Sequence, residues 1–391
     1  MMSWLRRYFP LLIALAAFVP AAAYFLWALE GGMPARPAKL TSTGFDTLPG
    51  WAEDDHAAAL ATFLRSCTRA EASDKPSPPL QACQGARKAA REGGEGAARA
   101  FFETWFVPHH YPAQGEKGFV TGYFEPELKG SRTRDGDYPV PVYRKPDDLV
   151  QLTPDVERGA HNGQITAGRR QGEEIVPYPT RGDIENGALE GKGLELLWLA
   201  DPVEAFFMHV QGSGRVALAG GGHVRIGYAA KNGHPYTAIG RVLIERGEIP
   251  RERMSMQSLK AWLRAHPEEG KALMWQNKSY IFFRELSAGE SEAGPIGAQG
   301  AALTPGRSLA VDGGIHDLGT PVYVSVPSLK LHGGERFDRL MIAQDVGSAI
   351  KGPERGDIFW GSGEQAGEIA GHTKHPAKFY ILLPRAAAPT S

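Results

Sequence analysis

Residues 339–345 read Arg339-Leu340-Met341-Ile342-Ala343-Gln344-Asp345, and residues 357–361 read Asp357-Ile358-Phe359-Trp360-Gly361. Each is a short strand-favouring run with an aspartate at one end and a glycine close by, Gly347 or Gly356. A third aspartate, Asp312, follows Ser308-Leu309-Ala310-Val311, with Gly313-Gly314 after it. Residues at strand ends can converge on one rim of a barrel, so three aspartates placed this way point to carboxylate chemistry. An aspartate at a strand end also caps turns as a matter of course, and each of the three taken singly has that second reading. Lys351 lies between the second and the third.

Outward from this block the texture stays strand-like. Runs at Gly118–Phe124, Tyr138–Tyr143, Leu194–Trp198, Ala205–Val210, Arg215–Leu218 and His223–Gly227 are separated by Gly and Pro clusters. A helical island at Ser255–His266 stops at Pro267. A second β block runs from Ser279 to Leu383 and contains Leu309–Val311, Pro321–Val326, Arg339–Gln344, Asp357–Trp360 and Lys378–Leu383, with Ser287–Gly294 as an exposed connection. Such spacing predicts a barrel or sandwich. With 48 Gly and 29 Pro in 391 residues, both stand above their background of roughly 7% and 5%, which favours a turn-rich chain. Ahead of the strands, Trp51–Thr68 and Gln81–Phe106 read as helices flanking a loop at Ser73–Pro79. A chain of this length exceeds one small core, so two domains are expected.

The first thirty residues do not read as fold. Arg6 and Arg7 precede an apolar stretch, Leu11–Leu29, which Glu30 ends and the linker Gly31–Lys39 follows. The charge order sends everything after Glu30 across the membrane. The stretch is long enough for an uncleaved anchor, and Pro20-Ala21-Ala22-Ala23 also offers a signal-peptide cleavage site; both readings stand. No cysteine lies near it to carry a lipid. In an exported chain, Cys67 and Cys83, sixteen positions apart between helical stretches, read as one disulfide, with two free thiols as the alternative. A loop of that size contributes about 3 kcal/mol in the chain-entropy model.

Composition and motifs exclude several classes. Lys and Arg total 43 against 44 Asp and Glu, so the basic surplus of a nucleic-acid binder is missing. No H-E-x-x-H, C-x-x-C, phosphate loop or G-x-S-x-G occurs, and the twelve histidines lack ligand spacing, so no metal or cofactor is expected. What remains is material suited to a neutral sugar polymer: Tyr123-Phe124, Trp198, Trp275 and Trp360 as flat faces, with Gln211, Ser213, Asn232 and Gln299 as polar heads. Aromatics are as readily core as platform.

Four motifs then occur in order: Gly122-Tyr123-Phe124-Glu125-Pro126, Gln211-Gly212-Ser213-Gly214, Arg225-Ile226-Gly227-Tyr228 and Gly297-Ala298-Gln299-Gly300. With Ala310-Val311-Asp312, Leu318-Gly319-Thr320-Pro321, the run Gln344–Gly352 and Asp357–Gly361, the chain resembles the membrane-bound lytic murein transglycosylase A family and its C-terminal three-aspartate ("3D") domain. The resemblance covers roughly Gly44 to Pro384. It implies a mainly β fold with N-terminal helices: a double-psi β-barrel from residues 44–125 and 281–385, a smaller β-barrel-like domain inserted at 126–280, and a groove between them, followed by a tail at 386–391. It implies cleavage of the β-1,4 bond between N-acetylmuramic acid and N-acetylglucosamine in peptidoglycan, leaving 1,6-anhydromuramic acid. Asp357 matches the family's catalytic acid and Asp345 its neighbouring aspartate. Asp312 and Lys351 are supporting candidates, Lys351 as the charge that holds Asp345 ionised or as a solvated residue. Tyr123, Phe124, Glu125, Gln211, Ser213, Gln299 and Trp360 are groove candidates, Glu125 alternatively a turn residue before Pro126. Family members are often outer-membrane lipoproteins; without a lipidation cysteine, an inner-membrane anchor facing the periplasm or a soluble periplasmic form is the expected location. Glycan strands are the expected partner, with cell-wall synthesis or division proteins as further ones. A glycosidase using Asp345 and Asp357 with water, and a wall-binding barrel without catalysis, are the rival readings.

Overall fold

The computed structural model of the protein describes residues 40–72, 77–111, 118–152, 165–330, 334 and 336–385. The expected membrane segment, the linker Gly31–Lys39 and the tail lie outside the described residues. Among the described residues no helix is long and apolar enough to cross a membrane.

After the two-residue strand β1 (Thr41–Ser42), helix α1 (His56–Ala70) is capped by Asp55, whose carboxylate accepts the Ala58 N–H at 2.9 Å. Its buried stripe, Ala59, Leu60, Phe63 and Cys67, packs on α2 (Leu80–Glu92) and α3 (Glu95–Trp105). The single helix expected over Gln81–Phe106 is broken at Gly93-Gly94, whose φ values of +71° and +81° suit glycine alone. Cys67 and Cys83, both fully buried, join α1 to α2 in a disulfide.

β2 (Phe106–His110) and β3 (Phe119–Glu125) belong to the large sheet, and the chain then leaves it. It builds β4 (Glu127–Ser131), β5 (Val140–Tyr143), a small meander of β6 (Leu149–Gln151), β7 (Ala167–Gln171) and β8 (Glu174–Pro177), and then β9 (Glu195–Leu199). Helix α4 (Pro202–Gln211) precedes the hairpin β10 (Ser213–Leu218) and β11 (His223–Lys231). Helices α5 (Ile239–Glu245), α6 (Met256–Ala265) and α7 (Pro267–Gln276) lead to β12 (Ile281–Glu285). Six of these strands form one sheet in the order β12-β11-β10-β4-β9-β5, and a bridge between Arg144 and Phe283 draws its two edges together.

One reading fails here. The run Ala205–Val210, expected as a strand, lies inside α4, where Asp201 accepts the Val203 and Glu204 N–H groups at 2.7 and 3.2 Å and Pro202 takes the first turn. Val203, Ala205, Phe206, Phe207, Met208 and His209 are all buried, so the segment is apolar nearly all round and its period is invisible. The helix expected over Ser255–His266 does stop before Pro267, capped by Ser255, and Pro267 then takes the first turn of α7.

The large sheet is completed by β13 (Ser308–Val311), β14 (Pro321–Lys330), β15 (Arg336–Val346) and β16 (Arg355–Ser362), then helix α8 (Glu364–His372), β17 (Lys374–Pro376) and β18 (Lys378–Pro384). Its order is β1-β2-β18-β14-β15-β13-β16-β3-β17. Pairing is antiparallel except for β13 with β15 and β16 with β3. One face, with Tyr323, Leu340, Ile342 and Leu382, packs under the N-terminal helices. The other, with Val120, Leu309, Val324, Met341, Ile358 and Phe379, forms a second core. Asp54 grips the sheet beneath the helices: it pairs with Arg307 through both oxygens at 2.8 and 3.0 Å and accepts the Leu340 N–H at 2.7 Å. The architecture is mainly β with helices on one side, and neither of the two larger sheets closes by a continuous ladder among the described residues.

Candidate active site

Four adjacent strands, β15, β13, β16 and β3, bring the aspartates together. Ala310 on β13 is the register partner of Asp345 on one side and of Asp357 on the other. The two carboxylates therefore sit two strands apart, about 10 Å between their Cα atoms at the usual strand spacing. A register shift makes this alignment. Leu309 pairs with Ala343 but Ala310 with Asp345, so Gln344 is bulged out. Gln344 is fully buried: its amide donates to Thr62 O at 3.2 Å and Ser66 Oγ at 2.9 Å, and its carbonyl accepts from Ser308 Oγ at 2.5 Å. The bulge turns Asp345 to the face that Asp357 shares.

Period-two alternation sorts the neighbours. Asp357 and Phe359 share one face of β16, Thr121 and Tyr123 that of β3, and Ala310, Tyr123, Phe359 and Leu303 form a small apolar floor. Thr121 Oγ1 donates to Asp357 at 2.6 Å and accepts from Arg355 at 2.8 Å. Asp357 is half-buried by accessible surface, yet protein atoms crowd its carboxyl, and that burial pushes it up to about 6 against the pull of Thr121 and Arg355; the Asp345 charge adds to the rise. Asp345 is also raised by burial, but its oxygens are taken: Tyr123 Oη donates at 2.9 Å, as do the Ala298 and Val346 N–H groups. Burial first, and then both aspartates, hold the Tyr123 phenol well above its ordinary range, so it stays a donor.

The remaining candidates separate. Asp312 is turned into its own loop, accepting from Lys351 Nζ at 3.1 Å and from the Gly352 and Gly314 N–H groups at 3.0 and 3.2 Å; despite its burial, those bonds hold its carboxyl below the usual range. Lys351 thus pairs with Asp312, not Asp345. Glu125 is fully buried: Ser362 Oγ donates to it at 2.6 Å, and Arg225 Nε stands 2.8 Å away as an ion pair without hydrogen-bond alignment. It joins the two sheets and offers no face to a ligand. Phe124 is buried against Ala366 and Ala370 of α8, and the half-buried Trp360 lies against Phe337 and over Gly122. Gln211 accepts the Phe124 N–H at 3.0 Å, Ser213 is half-buried at the head of β10, and Gln299 donates to Ser77 O at 3.1 Å. Thr121, Arg355 and the Ala298 N–H escape the sequence reading, although Thr121 and Arg355 each lie two residues before an expected site residue on the same strand face. Tyr236 escapes it too. It reaches from the loop after β11, and its phenol is raised first by burial and, against Arg181, by the charge of Asp357. A cavity of about 490 Å³ lies elsewhere, in the inserted unit, between Phe206, His209, Leu263 and Tyr280.

Comparison with known proteins shows what the chain is similar to. Residues 119–284 match the MltA specific insert domain, and residues 307–383 match the 3D domain. The membrane-bound lytic murein transglycosylase A of Escherichia coli K12 is 36% identical over 267 residues, 67% of this chain and 64% of that protein. The match therefore spans just under two thirds of that relative's length. A crystal structure of a membrane-bound lytic murein transglycosylase from Agrobacterium tumefaciens is 39% identical with a TM-score of 0.80, over 89% of this chain and 98% of that one. The structure of Escherichia coli MltA with bound chitohexaose is 28% identical with a TM-score of 0.64, over 91% of this chain and 96% of that one.

Proposed function

The chain belongs to the membrane-bound lytic murein transglycosylase A family, and we propose that it cleaves the β-1,4 bond between N-acetylmuramic acid and N-acetylglucosamine in peptidoglycan, closing a 1,6-anhydro ring. One observation carries the reading: of the two carboxylates, Asp357 is pushed up to about 6 with Thr121 as its hydrogen-bond donor, whereas Asp345 has both oxygens engaged by three donors. A hydrolase of the usual kind needs two working carboxyl groups, one as acid and one as base or nucleophile. Asp345, with both oxygens engaged by three donors, is poorly placed for that second part. Ring closure needs only one. Protonated Asp357 gives its proton to the leaving oxygen, and the resulting carboxylate takes the proton of the sugar's own C6 hydroxyl as that oxygen attacks C1. No water is added. A carboxyl pushed up to about 6 suits a group that acts first as acid and then as base.

Asp345 and Tyr123 orient this centre, and the like charge of Asp345 helps raise Asp357. The substrate groove of this reading runs between the two sheets past Asp357, whose charge reaches Tyr236. The parallel pairs β13–β15 and β3–β16 inside an otherwise antiparallel sheet support a double-psi barrel built from residues 44–125 and 281–385 around the insert at 126–280. The sequence of the first thirty residues supports a location facing the periplasm, anchored or released. The test is a digest of purified sacculi read by mass spectrometry: anhydromuropeptides support the reading, and products heavier by one water overturn it.

A further inference from the structure

We propose that the disulfide-closed segment between Cys67 and Cys83 positions the active site, acting on Asp345 through the Gly297–Gly300 loop, with Arg69 and Gln299 as its positioning residues. This rests on the activity proposed above. Four hydrogen bonds tie the segment and the helix turn leading into it to the surroundings of Asp345. Thr62 and Ser66, just before Cys67, hold the bulged Gln344 that aims Asp345. Arg69 Nε donates to Gly300 O. Gln299 Nε2 donates to Ser77 O at 3.1 Å. The loop they grip carries the Ala298 N–H that fixes Asp345 Oδ1 at 2.9 Å, while the Gln299 N–H donates to Gln344 O at 3.1 Å.

The segment also packs against Gly319, which is bonded to the strand. Gly319, at φ +93°, donates its N–H to Ala343 O at 2.6 Å, and a Cβ there would lie 2.6 Å from Ser77 O and 2.5 Å from Pro78 Cδ. Only glycine fits that approach. Two parts of one covalently closed segment, at Arg69 and at Ser77-Pro78, thus contact the residues that hold Asp345. Opening the disulfide frees the Ser77–Pro78 end, releases Gln299 and loosens the Ala298 N–H from Asp345. Tyr123, which shares that carboxylate, then loses its fixed partner beside Asp357.

The experiment compares the full-length protein oxidised and reduced with blocked thiols, both checked for cooperative folding at the assay temperature. It measures kcat and KM on glycan strands and amide exchange of the peptide containing Ala298. A misplacement of this kind lowers kcat about ten- to a hundredfold with KM within about twofold, and it speeds exchange at residues 297–300 while β15 stays protected. Equal exchange and equal kcat in both states would overturn the proposal. If the oxidised protein releases no product at all, the proposed activity fails, and the exchange comparison still decides the positioning. If reduction unfolds the chain, Gln299→Met with the disulfide intact carries both measurements: the same kcat loss and faster loop exchange are expected, and wild-type values refute it.

Discussion

Replacing Asp357 by asparagine should stabilise the fold at neutral pH while abolishing turnover. The carboxyl stands at about 6 in the native protein against an ordinary value of 3.8, chiefly because burial disfavours its charged form. The native state therefore binds this proton more tightly than the unfolded chain does. That preference favours the fold fully below about pH 4 and is lost as pH rises through about 6. A shift of about two units corresponds to about 3 kcal/mol, a ceiling because the recess keeps some access to water. Asparagine carries no charge to desolvate and still accepts from Thr121 through its carbonyl, so the expected gain is about 1–3 kcal/mol above pH 7 and close to zero at pH 4. The assay is urea denaturation of wild type and variant at both values. A difference independent of pH, or a variant less stable at pH 7.5, would refute the assignment of burial as the cause of the shift.

Other perturbations follow from the same contacts. Tyr123→Phe removes a donor from Asp345, and a lost hydrogen bond to a charged group of about 1.5–3 kcal/mol predicts a ten- to hundredfold fall in kcat/KM with the fold intact by circular dichroism. The pH profile of kcat/KM should fall on its alkaline side near pH 6 as Asp357 loses its proton, and in Tyr123→Phe the profile should move; an unmoved profile would separate Tyr123 from the titrating pair. Asp54→Ala leaves Arg307 buried and unpaired beneath the helices, costing about 3–5 kcal/mol by denaturation, where a loss under 1 kcal/mol would show the clamp to be dispensable. Lys351→Ala should change both stability and kcat little, since its amine is mostly exposed and its partner Asp312 keeps two backbone N–H donors.

Much of the fold is legible because glycine and proline punctuate it and the short strands carry β-branched and aromatic residues: Leu309–Val311 and Lys378–Leu383 lie in strands of nearly the same bounds. What local pattern cannot see is context. A run such as Ala205–Val210, buried on nearly every side, has no period to report, and only Asp201 and Pro202 ahead of it mark a helix. At the site, Asp357 and Asp345 are legible as residues, but their facing each other depends on the bulge at Gln344, whose cause is α1, some 280 positions away in sequence. Phe124, Glu125 and Trp360 match the family motifs as strongly as Tyr123 does. Strand alternation puts Phe124 and Trp360 on the face opposite Tyr123 and Asp357, and Glu125 is buried beside Arg225. Recurrence in a motif marks a constraint without saying whether that constraint is chemistry or packing.

The most direct measurement of the central claim is the product spectrum from purified sacculi incubated with the full-length protein and, in parallel, with Asp357→Asn. The single-carboxyl account predicts 1,6-anhydromuropeptides from the wild type and none from the variant. Reducing-end products carrying an added water, or anhydro products from the variant at the wild-type rate, would contradict it.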